Sequence, residues 1–147
     1  MKMKTLEAIS EAKSVGVEER VQRFLSAIKA RDGKVGAFVE VYSDWAVEQA
    51  KGVDAKAKAG KPLGKLAGLV FSIKNNVAIR GRRLSCASKM LEHYVAPYTA
   101  TTVERILAAD GIIICSANLD EFCCGSDCSR SALQVTRNPL DLSRVPG

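Results

Sequence analysis

The chain is 147 residues long, 47% apolar and 26% charged, the composition of one ordinary globular domain, which excludes a disordered or low-complexity class. Its net charge of +6 is modest and scattered; the one basic knot, Arg80, Arg82 and Arg83, reads as a solvated loop, with no RNA-binding motif or interleaved aromatics beside it. Met1-Lys-Met-Lys-Thr-Leu-Glu-Ala-Ile9 is charged and interrupted, unlike a signal peptide, and no apolar stretch could cross a bilayer, so a soluble cytoplasmic protein is expected, with no membrane partner.

The first third, to about residue 60, reads as largely helical. Val17, Val21, Phe24, Leu25 and Ile28 recur at helical spacing, with Glu18, Glu19, Arg20, Arg23 and Lys29 on the other faces, and Asp32-Gly33 is expected to stop the helix. Gly36 to Tyr42 is rich in β-branched and aromatic residues and predicts a short strand. Ser43 can cap a second helix running to about residue 59, with Ala46, Val47, Ala50 and Val53 inward. Gly60 to Gly68 is a glycine-rich loop. Its Gly64-Lys65 pair suggests a phosphate loop only superficially, because Leu66 stands where a magnesium-binding Ser or Thr is needed.

Leu69 to Lys74 predicts a strand that is apolar on both sides, as in sheets covered by helices on each face. Alternation places Lys74 with Ser72 and Val70, while Leu69, Phe71 and Ile73 pack the other way. Lys74 closes this apolar run, so the sequence predicts burial. Burial disfavours an ammonium and makes the neutral amine a competent general base. The competing reading is a strand whose last residue turns out to solvent.

Further on, Thr101-Thr-Val-Glu104 has the form of a capping box opening a helix that buries Val103, Ile106 and Leu107, closed by Asp110-Gly111. Ile112 to Cys115 predicts a fully buried strand, and helix–stop–strand is half of a crossover unit, which argues α/β with a parallel or mixed sheet. Asn118 to Glu121 can open another short helix. From Gly125 to Gly147 periodicity vanishes, and an unstructured loop of that length is usually functional. Five cysteines, an odd count with Cys123 and Cys124 adjacent, suit reduced thiols better than disulfides. Zinc spacing is absent, and no metal site is expected.

Four blocks, in order, resemble the amidase signature family, and within it the A subunits of glutamyl-tRNA(Gln)/aspartyl-tRNA(Asn) amidotransferases. They are Gly68-Leu-Val-Phe-Ser-Ile-Lys-Asn-Asn76, Cys86-Ala-Ser-Lys-Met-Leu-Glu92, Asn118-Leu-Asp-Glu-Phe-Cys-Cys-Gly-Ser126 and Thr136-Arg-Asn-Pro-Leu-Asp-Leu-Ser-Arg-Val-Pro-Gly147. The resemblance implies an amidase-signature-type mixed sheet flanked by helices. Residues 1–147 would form the N-terminal part of a single such domain, with the start of its α/β core at about 61–147. It also implies a Ser-cis-Ser-Lys triad in which Lys74 is the base, and a substrate wall at Cys123, Cys124 and Gly125.

Both catalytic serines of the family lie beyond the stretch matched here. None of Ser126, Ser129, Ser131 and Ser143 occupies either position, so the resemblance implies a truncated domain, inactive by itself, whose apolar strand faces and edges are left uncovered and prone to aggregation. The family also carries Asp where this chain has Asn75. The implied partners are glutamine, B and C subunits, and a misacylated tRNA reached through the complex. No cofactor is implied for this chain; ATP and Mg belong at the partner subunit. A stand-alone small-amide hydrolase fragment and a short non-catalytic binding protein are the alternatives.

Overall fold

The computed structural model describes residues 16–147, so the readings of Met1–Ile9 and of helical character before Gly16 lie outside the described residues. Helix α1 spans Val17–Val35, strand β1 Phe38–Val41, helix α2 Ser43–Lys58, strand β2 Val70–Lys74, helix α3 Thr101–Ala108 and strand β3 Ile112–Ala117. Single 3-10 turns occupy Lys89–Leu91 and Glu121–Cys123. The three strands form one mixed sheet in the order β1-β3-β2, with β2 parallel and β1 antiparallel to β3. The α/β class read from the sequence is therefore the observed one. Among the described residues no helix is long and apolar enough to cross a membrane.

β3 sits at the centre because its run Ile112 to Ser116 is buried throughout, as a strand with helices on both faces must be. On one face α1 and α2 lay Val21, Ala46, Ala50 and Val53 against Ile112 and Ile114. On the other, α3 brings Val103 onto Ile113 and Ile73, with Tyr42 and Ile79 completing the cluster and Trp45, Phe71 and Ile106 packed around it. Phe24, expected inward on α1, is 48% exposed.

The helix ends are set by partners that local pattern does not reveal. Asp32-Gly33 does not stop α1, which runs on to Val35 and ends at Gly36 in the left-handed conformation, φ 68°. A Cβ on Gly36 would lie 2.7 Å from the Val135 carbonyl oxygen, so a distant segment selects this glycine. Asp32 instead accepts from the Ala37 N–H at 2.7 Å as the chain leaves the helix. Neither Ser43 nor Thr101 acts as a cap: both lie inside their helices, behind Tyr42 and Ala100, and no side chain bonds either N-terminus locally. The orphan amides of α1 are met from across the packing, where Asp54 of α2 accepts from Val17 N–H at 2.9 Å and Glu18 N–H at 3.0 Å. The expected helix at Asn118–Glu121 is only the 3-10 turn, because Asn118 and Asp120 are committed elsewhere.

Candidate active site

Two parallel strands, β2 and β3, finish side by side, with Lys74 opposite Ala117. Open α/β sheets bind ligands beyond the carboxyl ends of their strands, and the loops leaving these two ends carry most of the chain's buried polar groups. A cavity of about 450 Å³ lies at the other end of β2, between the start of α1, Asp54 and the loop at Leu63–Ala67, and shares no residue with this region.

Lys74 itself is exposed, as is Ser72 on the same face. This corrects the burial expected from the apolar run: only Ile73, on the opposite face, is fully enclosed. The described residues supply no lid over the amine.

Asn75 is the opposite case, 1% exposed and fully engaged. Its amide donates to the Arg83 carbonyl at 3.1 Å and to Ser116 Oγ at 3.2 Å. Its carbonyl oxygen accepts from Ser85 N–H at 3.0 Å and Ser85 Oγ at 2.5 Å. Ser116 is also hydrogen-bonded to Tyr42, whose phenol is pushed up chiefly by burial, a shift that this bond opposes. One side chain thus ties the end of β2 to β3, to the end of β1 and to the loop at 83–85. The amide is used in both senses, and a carboxylate could not donate to Arg83.

Beyond β3, Asn118 donates to the Gln134 carbonyl at 2.8 Å and to Thr136 Oγ1 at 2.9 Å, and it accepts from Ser131 Oγ at 2.8 Å. Asp120, 3% exposed, receives three backbone amides: Asp127 at 3.1 Å, Cys128 at 3.0 Å and Arg130 at 2.8 Å. These two side chains organise a segment that has no helix or strand of its own. Pattern reading took Asn118 to Glu121 for the start of a short helix.

The residues singled out from the sequence come together unevenly. Cys123 is exposed, and its sulfur accepts from Asn76 Nδ2 at 3.0 Å, two residues past Lys74. Cys128 lies close enough to Lys74 for its thiol to feel the ammonium, though burial, which pushes that thiol up, dominates. Cys124 turns back on its own loop, 3.6 Å from the Phe122 carbonyl. Gly125 packs onto Asp120, where a Cβ would lie 2.5 Å from the carboxyl carbon. All five cysteines are free thiols.

The basic knot is not simply solvated. Arg82 stacks over Tyr42 and Trp45, 4.8 and 5.1 Å from their ring centroids, and Arg83 donates to the Val39 carbonyl at 3.2 Å. Three of the serines near the chain's end donate to other side chains: Ser129 and Ser143 to Asp127 and Asp141 within local turns, and Ser131 to the distant Asn118.

Residues 19–147 match the family described as Amidase. The glutamyl-tRNA(Gln) amidotransferase A subunit of Chlamydia abortus is 52% identical over 84% of this chain, and one such A subunit of Clostridium acetobutylicum is 42% identical over all of it. The chain spans only 25% and 30% of those relatives' own lengths. Among solved structures, the glutamyl-tRNA(Gln) amidotransferase A subunit of Thermotoga maritima superposes with TM-score 0.70 at 36% identity, covering 89% of this chain and 26% of that one. The peptide amidase of Stenotrophomonas maltophilia gives 0.82 at 25% identity, covering 96% and 30%.

Proposed function

Since the chain belongs to the amidase family, we propose that it supplies the lysine-bearing portion of the A subunit of a glutamine-hydrolysing amidotransferase. Lys74 serves as the base of a Ser-cis-Ser-Lys relay whose two serines lie outside these 147 residues. The lysine takes a proton through the bridging serine, and the second serine attacks the glutamine amide carbonyl. Ammonia leaves, and water releases glutamate from the acyl intermediate. The ammonia then serves B and C partner subunits, which use ATP and Mg to convert misacylated Glu-tRNA(Gln), or Asp-tRNA(Asn), to the amide form in the cytoplasm. Cys123, Cys124 and Gly125 form part of the wall beside the acyl group.

The observation that carries this reading is the placement of Lys74 at the carboxyl end of β2, beside β3, with 52% identity to an amidotransferase A subunit over most of the chain. Ser129, Ser131 and Ser143 are each committed to a side-chain acceptor, Asp127, Asn118 and Asp141, which supports placing the nucleophile elsewhere. A second reading, a stand-alone amidase, draws on the closer superposition of the peptide amidase. Sequence identity favours the amidotransferase, 36% against 25%.

The test joins this chain to the remaining part of the Clostridium acetobutylicum relative and measures ammonia release from glutamine. The 147-residue chain alone should give no release above buffer, the chimera should hydrolyse glutamine, and Lys74→Ala in the chimera should abolish hydrolysis. Near-normal turnover by Lys74→Ala refutes the assignment of the base. Hydrolysis of simple amides but not of glutamine favours the second reading.

A further inference from the structure

Outside the proposed relay, the structure brings two thiol-bearing loops together. The N–H of Phe122 donates to the Cys86 carbonyl at 2.9 Å, so the residue before Cys123 is bound directly to Cys86. Ala132 N–H donates to the Ala87 carbonyl, also at 2.9 Å, and holds the same loops in register. The Cys86 thiol is pushed up first by burial and then by the neighbouring Cys123, which places the two sulfurs within each other's field.

The five thiols are not chemically equal. Cys115 is 1% exposed, and burial pushes it up to about 11. Burial also leads the upward shift of Cys128. Cys124 is exposed, but its S–H is directed at the Phe122 carbonyl, 3.6 Å away. Cys123 alone combines exposure with an N–H donor, from Asn76, pointed at its sulfur. A thiol needs access to react, and the Asn76 N–H stands where it can meet charge developing on sulfur, so both observations favour Cys123 for the first step.

We propose that Cys123 and Cys86 form an oxidisable pair, with Cys123 oxidised first by a peroxide and Cys86 resolving the product to a disulfide. The Cys123 thiolate attacks one peroxide oxygen; the O–O bond breaks, the sulfur is oxidised to sulfenic acid, and the departing hydroxide takes up the thiol's proton as water. Cys86 sulfur then attacks Cys123 sulfur; the S–S bond forms, the S–O bond breaks, and the hydroxyl leaves with the Cys86 proton as a second water. Two thiols have given two electrons to one peroxide. The bridge ties the loop at 85–88 to the turn at 121–123, beside the end of β2, and a small thiol reverses it by exchange.

The 147-residue chain is exposed to hydrogen peroxide, its remaining thiols are alkylated, and the tryptic digest is read by mass spectrometry without reduction. Cleavage after Arg83, Lys89, Arg105 and Arg130 isolates Cys86 in one peptide and the other four cysteines in a second. A cross-link between these peptides is expected, and fragmentation should place it on Cys123 over Cys124 by about tenfold, following the fixed approach of the Cys123 turn to Cys86. Cys123→Ser and Cys86→Ser should each abolish the preferred link, Cys124→Ser should retain it, and a small thiol should remove it. The same reaction in concentrated urea should lose the preference, because the preference belongs to the fold. Equal linkage to Cys123 and Cys124 in the native chain, an unchanged preference in urea, or Cys86 left unlinked while Cys123 proceeds to sulfinic acid overturns the proposal.

Discussion

Replacing Asn75 by alanine tests whether the end of β2 is held by one buried amide. Four side-chain hydrogen bonds disappear, and the partners fare differently. Ser116 retains Tyr42, and Ser85 Oγ retains the Ala87 N–H, but the Ser85 N–H, in a residue with no exposure, is left without an acceptor. An orphaned buried donor costs about 1–3 kcal/mol, and each of the three further lost bonds about 1 kcal/mol, so Asn75→Ala should destabilise by about 4–6 kcal/mol. That is a large part of the stability of a domain this size. The one tryptophan, Trp45, packs with Tyr42 at 5.7 Å between ring centroids on the adjoining cluster, so its fluorescence can report urea unfolding of this region. Asn75→Asp is the sharper variant, since it keeps both bonds from Ser85 but turns an oxygen toward the Arg83 carbonyl. It should cost about 2 kcal/mol near neutrality, as an unsatisfied buried group does. Its carboxyl is disfavoured as an anion in the fold, so its folded pKa lies above the unfolded one. Stability should therefore recover as pH falls and the acid regains a donor. An Asn75→Ala variant unfolding within about 1 kcal/mol of the parent would refute the reasoning.

Other consequences can be checked on the same chain. Asp110 accepts from Lys56 at 2.8 and 3.0 Å, and the Gly64 N–H also reaches it, so its carboxyl is held below its ordinary range, first by the Lys56 hydrogen bond and then by the Gly64 amide. The stabilisation is present above the unfolded pKa and lost as pH falls through the lower folded one. Asp110→Asn, which still suits the observed φ of 63°, should flatten the fall of the urea midpoint between about pH 5 and pH 2; an unchanged acid slope refutes it. Gly64→Ala would set a Cβ 2.4 Å from the Ala109 backbone and should cost about 3 kcal/mol or more by urea unfolding, as severe overpacking does. No strand lies outside β2 in the described sheet, and an open edge recruits further strands. Light scattering should therefore rise with concentration, and a monomer with a sharp thermal transition at all concentrations would refute this.

Where one segment's own residues decide its fate, the sequence was readable. Ile112 to Ser116 is buried from end to end because its apolar run belongs to a two-faced strand, and α2 buries Ala46, Ala50 and Val53 at helical spacing as expected. What failed depended on distant partners. Asp32-Gly33 was expected to stop the first helix, but it ends at Gly36, where the Val135 carbonyl approaches. Thr101 had the form of a cap, but the helix already begins at that residue. Asn118 to Glu121 read as a helix start for the reason that makes Asn118 and Asp120 useful here: short polar side chains reach nearby backbone amides and carbonyls. The motif blocks placed Lys74 at a strand end, as observed, but its exposure depends on what covers the sheet, which no local pattern encodes.

The two ends of β2 also differ in backbone conformation. Among the described residues, six other than glycine have φ between 50° and 64°; Asp110 stands near the start of β2, and the other five are Cys86, Ala87, Phe122, Cys123 and Cys128. Left-handed backbone is tolerable for Asp but costs roughly 1 kcal/mol or more at the others, so it persists only where the surroundings enforce it. The enforcement is visible. Ser85, just before the first pair, is held by Asn75, and the amide of Cys128 is held by Asp120. Across the gap, the Cys86 and Ala87 carbonyls are taken by Phe122 and Ala132. A chain selected only for stability would relax such loops; this one surrounds them with buried polar groups instead, as expected where backbone geometry is held for a ligand or a reaction.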